Sequence, residues 1–202
     1  MITEPIWIST GLVALAEIGD KTQLLAFLLA LRFKRPFPII LGILVATLLN
    51  HGIAAAIGVW ITQHIEPAWL RWALAASFIG MAIWILVPDK MEEDAHPSIG
   101  RLGVFGTTAV AFFLAEMGDK TQVATVAMAA HYAQALAVVA GTTLGMLIAD
   151  VPAVFVGDRF AKALPMRWVR GLTAGLFAIL GLAVLVGADS SLLDALPANP
   201  QS

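Results

Sequence analysis

Apolar residues gather into six long stretches, at roughly 6–31, 37–63, 68–87, 102–130, 132–157 and 168–187. A helix needs about 20 mostly apolar residues to cross the hydrocarbon core of a bilayer, and each stretch has the length for it. The polar breaks between them read LRFKRP, HIEP, PDKMEEDAHPSIGR, HYAQ and DRFAKALPMR, and the chain closes on ADSSLLDALPANPQS. This pattern predicts an all-α integral membrane protein with six transmembrane helices. The opening MITEPIW lacks the basic residues that precede the apolar run of a secretory leader. Ala14-Leu15-Ala16 mimics a cleavage site, but cutting there would discard a segment that the second half also has. The first stretch is therefore expected to be a retained helix.

The second half follows the first at a constant offset of 99 residues. AEIGDKTQ at 16–23 recurs as AEMGDKTQ at 115–122, with seven of eight residues identical. Gly42 and Gly58 correspond to Gly141 and Gly157, and Trp69-Leu70-Arg71 to Trp168-Val169-Arg170. The repeat divides the chain into a three-helix unit at 1–88, an acidic cytoplasmic linker at 89–101, a second three-helix unit at 102–187 and a polar tail at 188–202. Three is odd, so the second unit should enter the membrane from the opposite side. Basic residues agree with this. Arg32, Lys34 and Arg35, then Lys90 and Arg101, then Arg159, Lys162, Arg167 and Arg170 follow the odd-numbered stretches, whereas only Arg71 follows an even one. Cytoplasmic loops carry such an excess, which puts both termini outside the cytoplasm. LRFKRP at 31–36 becomes AHYAQA at 130–135, so charge is lost where the repeat would lie on the other side. The expected architecture is two inverted three-helix repeats, an arrangement common in secondary transporters with a midplane site between the halves.

Composition supports the membrane assignment. Hydrophobic residues make up 59% of the chain and charged ones 13%, against about 45–50% and about 25% in soluble domains. A net charge of -2 argues against a nucleic-acid partner, which would require clustered Lys and Arg. The absence of cysteine excludes disulfides, thiolate nucleophiles and cysteine-based zinc sites.

Against that background the two motifs stand out, because each sets three charges inside an apolar stretch. On a continuous helix Glu17, Asp20 and Lys21 share one face, extended by Gln23, and Glu116, Asp119, Lys120 and Gln122 repeat the arrangement. A charge at mid-membrane costs about 2.5–3.5 kcal/mol on insertion scales, so six would cost roughly 15–20 kcal/mol if nothing compensated them. Each lysine can neutralise one carboxylate, which leaves four carboxylates against two lysines. One divalent cation balances that surplus, and so do two protons. Carboxylate and amide oxygens suit hard ions such as Mn²⁺, Ca²⁺ and Mg²⁺. The expected metal-binding set is Glu17, Asp20, Gln23, Glu116, Asp119 and Gln122, with Lys21 and Lys120 pairing charges or gating. Glu17 and Glu116 are expected to meet near the midplane. Gly19 and Gly118 are expected to let helices cross closely, with local unwinding as the alternative.

Accessory or proton-relay candidates are Thr22 and Thr121 in the motifs, Asn50 and His51 in the second stretch, and Asp150 in the fifth. His51 corresponds to Asp150 at the repeat offset, so the halves are unequal there. Other features read as structural. The acidic residues Asp89, Glu92, Glu93 and Asp94 suit a solvated linker, and Trp60, Trp69, Trp72 and Trp168 an interfacial aromatic belt. Gly141/Gly145 and Gly171/Gly175 suit tight helix packing, and His131 reads as a surface residue in a short external turn.

The doubled motif, Glu17-Ile18-Gly19-Asp20-Lys21-Thr22 and Glu116-Met117-Gly118-Asp119-Lys120-Thr121, fits E-x-G-D-[KR]-[TS]. It resembles the hallmark of the Gdt-type cation transporter family, which contains bacterial manganese exporters and the Golgi manganese/calcium transporter of eukaryotes. The resemblance covers essentially the whole chain. It implies secondary export of Mn²⁺, in some members Ca²⁺, with protons as counter-ion. It carries metal binding onto Glu17, Asp20, Glu116 and Asp119, and the compact length implies a bacterial inner-membrane protein. The implied partners are the lipid bilayer, divalent cations and protons, with no cofactor beyond the transported ion. Export of a small cationic organic solute such as an amino acid is the competing transporter reading. An intramembrane metalloenzyme is disfavoured, since no H-E-x-x-H motif or comparable nucleophile–base set is present.

Overall fold

The computed structural model describes residues 3–87, 102–156 and 166–186. These form eight helices: α1 Thr3–Glu17, α2 Lys21–Phe33, α3 Pro36–His64, α4 Pro67–Ile85, α5 Gly103–Glu116, α6 Lys120–Tyr132, α7 Ala135–Val156 and α8 Met166–Val186. The linker at 89–101, the tail at 188–202, and Gly157, Arg159 and Lys162 lie outside the described residues. So of the basic residues used for orientation, Lys90 and Arg101 lie outside as well.

Among the described residues, four helices are long and apolar enough to cross a membrane: α3, α4, α7 and α8. The first and fourth apolar stretches are not continuous helices. Each is broken in its middle, at Ile18-Gly19-Asp20 and at Met117-Gly118-Asp119. The cause is local and the same in both. Gly19 and Gly118 adopt φ of +81° and +78°, a left-handed conformation that only glycine enters without steric cost. Asp20 and Asp119 follow in extended conformation and begin α2 and α6 as their N-terminal flanking residues. A glycine that ends one helix directly before an aspartate that starts the next is a paired stop and start signal.

Repeat-related elements share detail beyond the break. α2 is closed by Lys34 and α6 by Ala133, the residues just past their ends, 99 positions apart and both with φ of +51°. Both donate their backbone N–H to the carbonyl four residues back, Ala30 and Ala129. Packing between the halves is reciprocal. A Cβ on Gly42 of α3 would stand 2.9 Å from the Phe105 carbonyl oxygen and 2.7 Å from Thr108 Cβ. A Cβ on Gly141 of α7 would stand 2.5 Å from the Ile6 carbonyl oxygen and 2.9 Å from Ser9 Cβ. Ile6 and Ser9 are the repeat counterparts of Phe105 and Thr108, so α3 meets α5 as α7 meets α1. Thr10 Oγ1 seals the second contact by donating to the Gly141 carbonyl at 3.0 Å.

α1 packs along α7, α3 lies against α5, α6 and α7, and α4 pairs with α8. Leu, Ile and Trp side chains such as Leu41, Leu49, Ile83, Ile148 and Ile179 stand exposed on the outside, while Glu17, Glu116 and Asp150 are fully buried. Apolar outside and ionisable inside is the pattern that lipid favours. Trp60, Trp69, Trp72 and Trp168 are exposed, as an interfacial belt requires.

Two packing expectations are corrected. Gly145 packs tightly, its hypothetical Cβ 2.7 Å from the Thr10 carbonyl, but Gly171 and Gly175 have nothing within 4 Å of theirs. Spacing alone therefore misread α8. His131 is buried within α6 and meets Phe78 and Tyr132 edge-on; it is a core residue, not a surface one.

Candidate cation site

The two breaks bring the motifs together. Because the helix stops at Glu17, the expected shared face of Glu17, Asp20 and Lys21 does not form. Glu17 instead hangs from the end of α1, and Asp20 and Lys21 open α2. Gly118 has open space around its missing Cβ, so its role is conformational, and close helix crossing is not what it supplies. Unwinding is what the motif's glycine allows.

Each break is braced by its own motif in the same way. Gln23 Oε1 accepts from the Gly19 N–H at 2.9 Å, and Gln122 Oε1 from the Gly118 N–H at 2.7 Å. Thr22 Oγ1 donates to Glu17 Oε2 at 2.6 Å, and Thr121 Oγ1 to Glu116 Oε2 at 2.9 Å. Each glutamate is thus held by one oxygen. Among the described residues its other oxygen, Oε1, has no hydrogen-bond partner. Neither Asp20 nor Asp119 caps its helix with its side chain, so both carboxylates are turned to other uses.

Across the halves, Gln23 Nε2 donates to the Ala149 carbonyl of α7 at 2.8 Å, and Gln122 Nε2 donates to Asn50 Oδ1 of α3 at 2.6 Å. Ala149 and Asn50 are repeat counterparts. Asn50 passes the link on by donating Nδ2 to the Phe113 carbonyl at 3.0 Å. Pro152, inside α7, has no N–H to close on the Ile148 carbonyl, which opens the helix ladder beside Ala149.

The result is an acidic centre built from both motifs. Glu17, Asp20 and Asp119 are all buried, and each offers an oxygen within 4.8 Å of the others'. Glu116, Asp119 and Asp150 lie close enough to Glu17 to act on it electrostatically, and Asp20, Asp119 and Asp150 act likewise on Glu116. Asp150, in the sequence only an accessory candidate, therefore stands at the cluster. Its two oxygens and Asp119 Oδ2 have no hydrogen-bond partner among the described residues. Converging carboxylate oxygens without donors are the donor set of a hard-cation site.

The lysines differ. Lys21 Nζ crosses to Asp119 Oδ1 of the other motif at 3.3 Å. Lys120 Nζ reaches the Val87 carbonyl at 3.4 Å, two residues past the end of α4. His51 is fully buried, with neither ring nitrogen hydrogen-bonded among the described residues. Partners that the sequence did not suggest are the backbone carbonyls of Ala149, Phe113 and Val87. A carbonyl is present at every residue, so no side-chain signal could have marked these three.

Sequence comparison points the same way. The family model of the divalent cation/proton antiporter GDT1 matches residues 5–93 and 104–191, one match for each half. A Vibrio cholerae protein named "Putative manganese exporter" is 52% identical over 177 residues, covering 87% of this chain and 88% of its own. GDT1-like protein sll0615 of Synechocystis is 30% identical over 191 residues, covering 83% and 91%. GDT1-like protein 3 of Oryza sativa is 27% identical over 208 residues, covering 90% and 72%. No solved structure matches.

Proposed function

The chain belongs to the divalent cation/proton antiporter family GDT1, a family of membrane transporters and not enzymes, and from that premise we propose that it exports Mn²⁺ from the bacterial cytosol in exchange for protons. Ca²⁺ is the competing cargo. The observation that carries this reading is the convergence of Glu17, Asp20 and Asp119 oxygens within 4.8 Å of one another, with both motifs contributing. One cation there would be held by the two halves together, with Glu116 and Asp150 completing the negative field. Gln23 and Gln122, which the sequence marked as ligands, have both ends of their amides engaged. In this reading they hold the breaks in shape, and Thr22 and Thr121 aim the glutamates. Asn50 buttresses Gln122.

In the membrane, α1 with α2 and α5 with α6 form two broken crossings. With α3, α4, α7 and α8 they make six spans in two inverted repeats, both termini outside the cytoplasm and the site near the midplane. Broken helices at a repeat interface are a recurrent way to place a cation site at that depth. Four motif carboxylates exceed two lysines by two charges, so one Mn²⁺ outward against two protons inward leaves the site's charge unchanged. Lys21 holds Asp119 when no ion is bound and yields it to the arriving cation. Protons taken up from the outer side by the carboxylates release the metal.

The test is transport in everted inner-membrane vesicles. Mn²⁺ should move protons through the wild-type protein, and Glu17→Gln or Glu116→Gln should each abolish that movement. Intact flux in both variants would refute the site, and flux driven by a cationic amino acid but not by Mn²⁺ would refute the cargo.

A further inference from the structure

Among the buried polar side chains outside the motifs, His51 stands apart. It is fully buried in α3, and both Nδ1 and Nε2 lack a hydrogen-bond partner among the described residues. A buried donor left unpaired costs about 1–3 kcal/mol, so an imidazole in that state calls for an explanation. The repeat supplies its position. Gln23 of the first motif reaches Ala149, and Asp150 is the next residue in α7. Gln122 of the second motif reaches Asn50, and His51 is the next residue in α3. The reciprocal Gly42 and Gly141 contacts show that α3 and α7 meet the opposite half in the same way. His51 is therefore the repeat counterpart, on α3, of Asp150 on α7. Asp150 lies within electrostatic reach of both Glu17 and Glu116.

We propose that His51 supplies a nitrogen donor to the transported cation and so sets the site's preference for a first-row transition ion over Ca²⁺ and Mg²⁺. This rests on the cation-export reading and narrows its cargo. Ca²⁺ and Mg²⁺ take shells of oxygen, whereas imidazole nitrogen binds first-row transition ions. Had both halves carried Asp at this position, the centre would offer only oxygen, the donor that Ca²⁺ and Mg²⁺ prefer. A single nitrogen among carboxylates also suits transport. Mn²⁺ stands lowest in the divalent affinity order, so one imidazole discriminates without holding the ion too tightly to release.

The test is pulsed electron paramagnetic resonance on Mn²⁺ bound to the purified full-length protein. Electron spin-echo modulation from an imidazole ¹⁴N is expected, replaced by a ¹⁵N pattern on labelling histidine. His51→Ala should lose it, although His64, His96 and His131 remain. In parallel, His51→Asp should shift the ratio of Mn²⁺ to Ca²⁺ affinity toward Ca²⁺ by on the order of tenfold. If Mn²⁺ binds and is lost in Glu17→Gln, but the wild-type protein shows no imidazole modulation, His51 is no ligand and the export reading survives. Modulation that persists in His51→Ala also overturns the assignment. If Mn²⁺ does not bind the wild-type protein at all, both readings fall. If His51→Ala does not fold, His51→Gln takes its place, and a wild-type spectrum without imidazole modulation overturns the assignment by itself.

Discussion

Segments 16–23 and 115–122 differ only by Ile18 against Met117, yet their lysines finish in different places. Lys21, 31% exposed, reaches across to Asp119; Lys120, 6% exposed, turns to the Val87 carbonyl. Everything short in the two motifs is duplicated: the left-handed glycine, the threonine on its glutamate, the glutamine on the glycine N–H. Contacts made within five residues are dictated by the motif itself. A lysine has four flexible methylenes and takes whatever partner the tertiary surroundings offer. Equal sequences therefore give equal local geometry, while the reach of a long side chain is set by how the halves dock.

That comparison can be broken at several points. The largest effect is expected away from the motifs, at the contacts that make the halves meet. Gly141→Leu would drive a side chain into the Ile6 backbone, where even a Cβ stands 2.5 Å from the carbonyl oxygen. Overpacking of this kind costs about 1–3 kcal/mol or more, so its melting temperature in detergent should fall steeply. Gly175→Leu, with open space around it, should leave the melting temperature nearly unchanged. Next comes the break itself. Gly19→Ala and Gly118→Ala force an L residue into the left-handed region, at about 1–2 kcal/mol each. Equal losses of thermal stability would support local equivalence; a loss at one break only would end it.

Smaller effects probe the acidic centre. Thr22→Val and Thr121→Val remove the hydroxyl that orients each glutamate. Loss of such a partner typically lowers metal affinity by about 10–100-fold. Calorimetric titration with Mn²⁺ should show similar drops for both, because the two bonds match. The smallest effect is expected at Lys21. Lys21→Gln frees Asp119 from a partly exposed pair, which is worth about 0–1 kcal/mol. Mn²⁺ affinity should rise by at most about fivefold.

How much of this was legible in the sequence follows the same division. The offset of 99 residues, the doubled motif and the two-to-one ratio of carboxylates to lysines were all plain, and they sufficed to point at a shared cation site. The helix breaks entered only as the alternative role of Gly19 and Gly118, because Ile18 and Met117 keep hydropathy high through the motif and a window of apolar residues looks continuous. The Gly-Asp pair did carry a helix stop followed by a helix start, a signal outweighed by the assumption of one face. Lys21 pairing with Asp119 was beyond reach, since it depends on how the halves dock. His131 looked external because HYAQ is short and polar, whereas Phe78 of α4 covers it. Gly171 and Gly175 show the opposite error, since glycine spacing states what could pack closely and not what does.

The central claim is that two motifs make one site, and stoichiometry tests it most directly. Titration of purified wild-type protein with Mn²⁺ should saturate at one ion per chain. Glu17→Gln alone and Glu116→Gln alone should each remove that ion. Two ions per wild-type chain, with each variant keeping one, would mean that each motif binds by itself and would contradict the account.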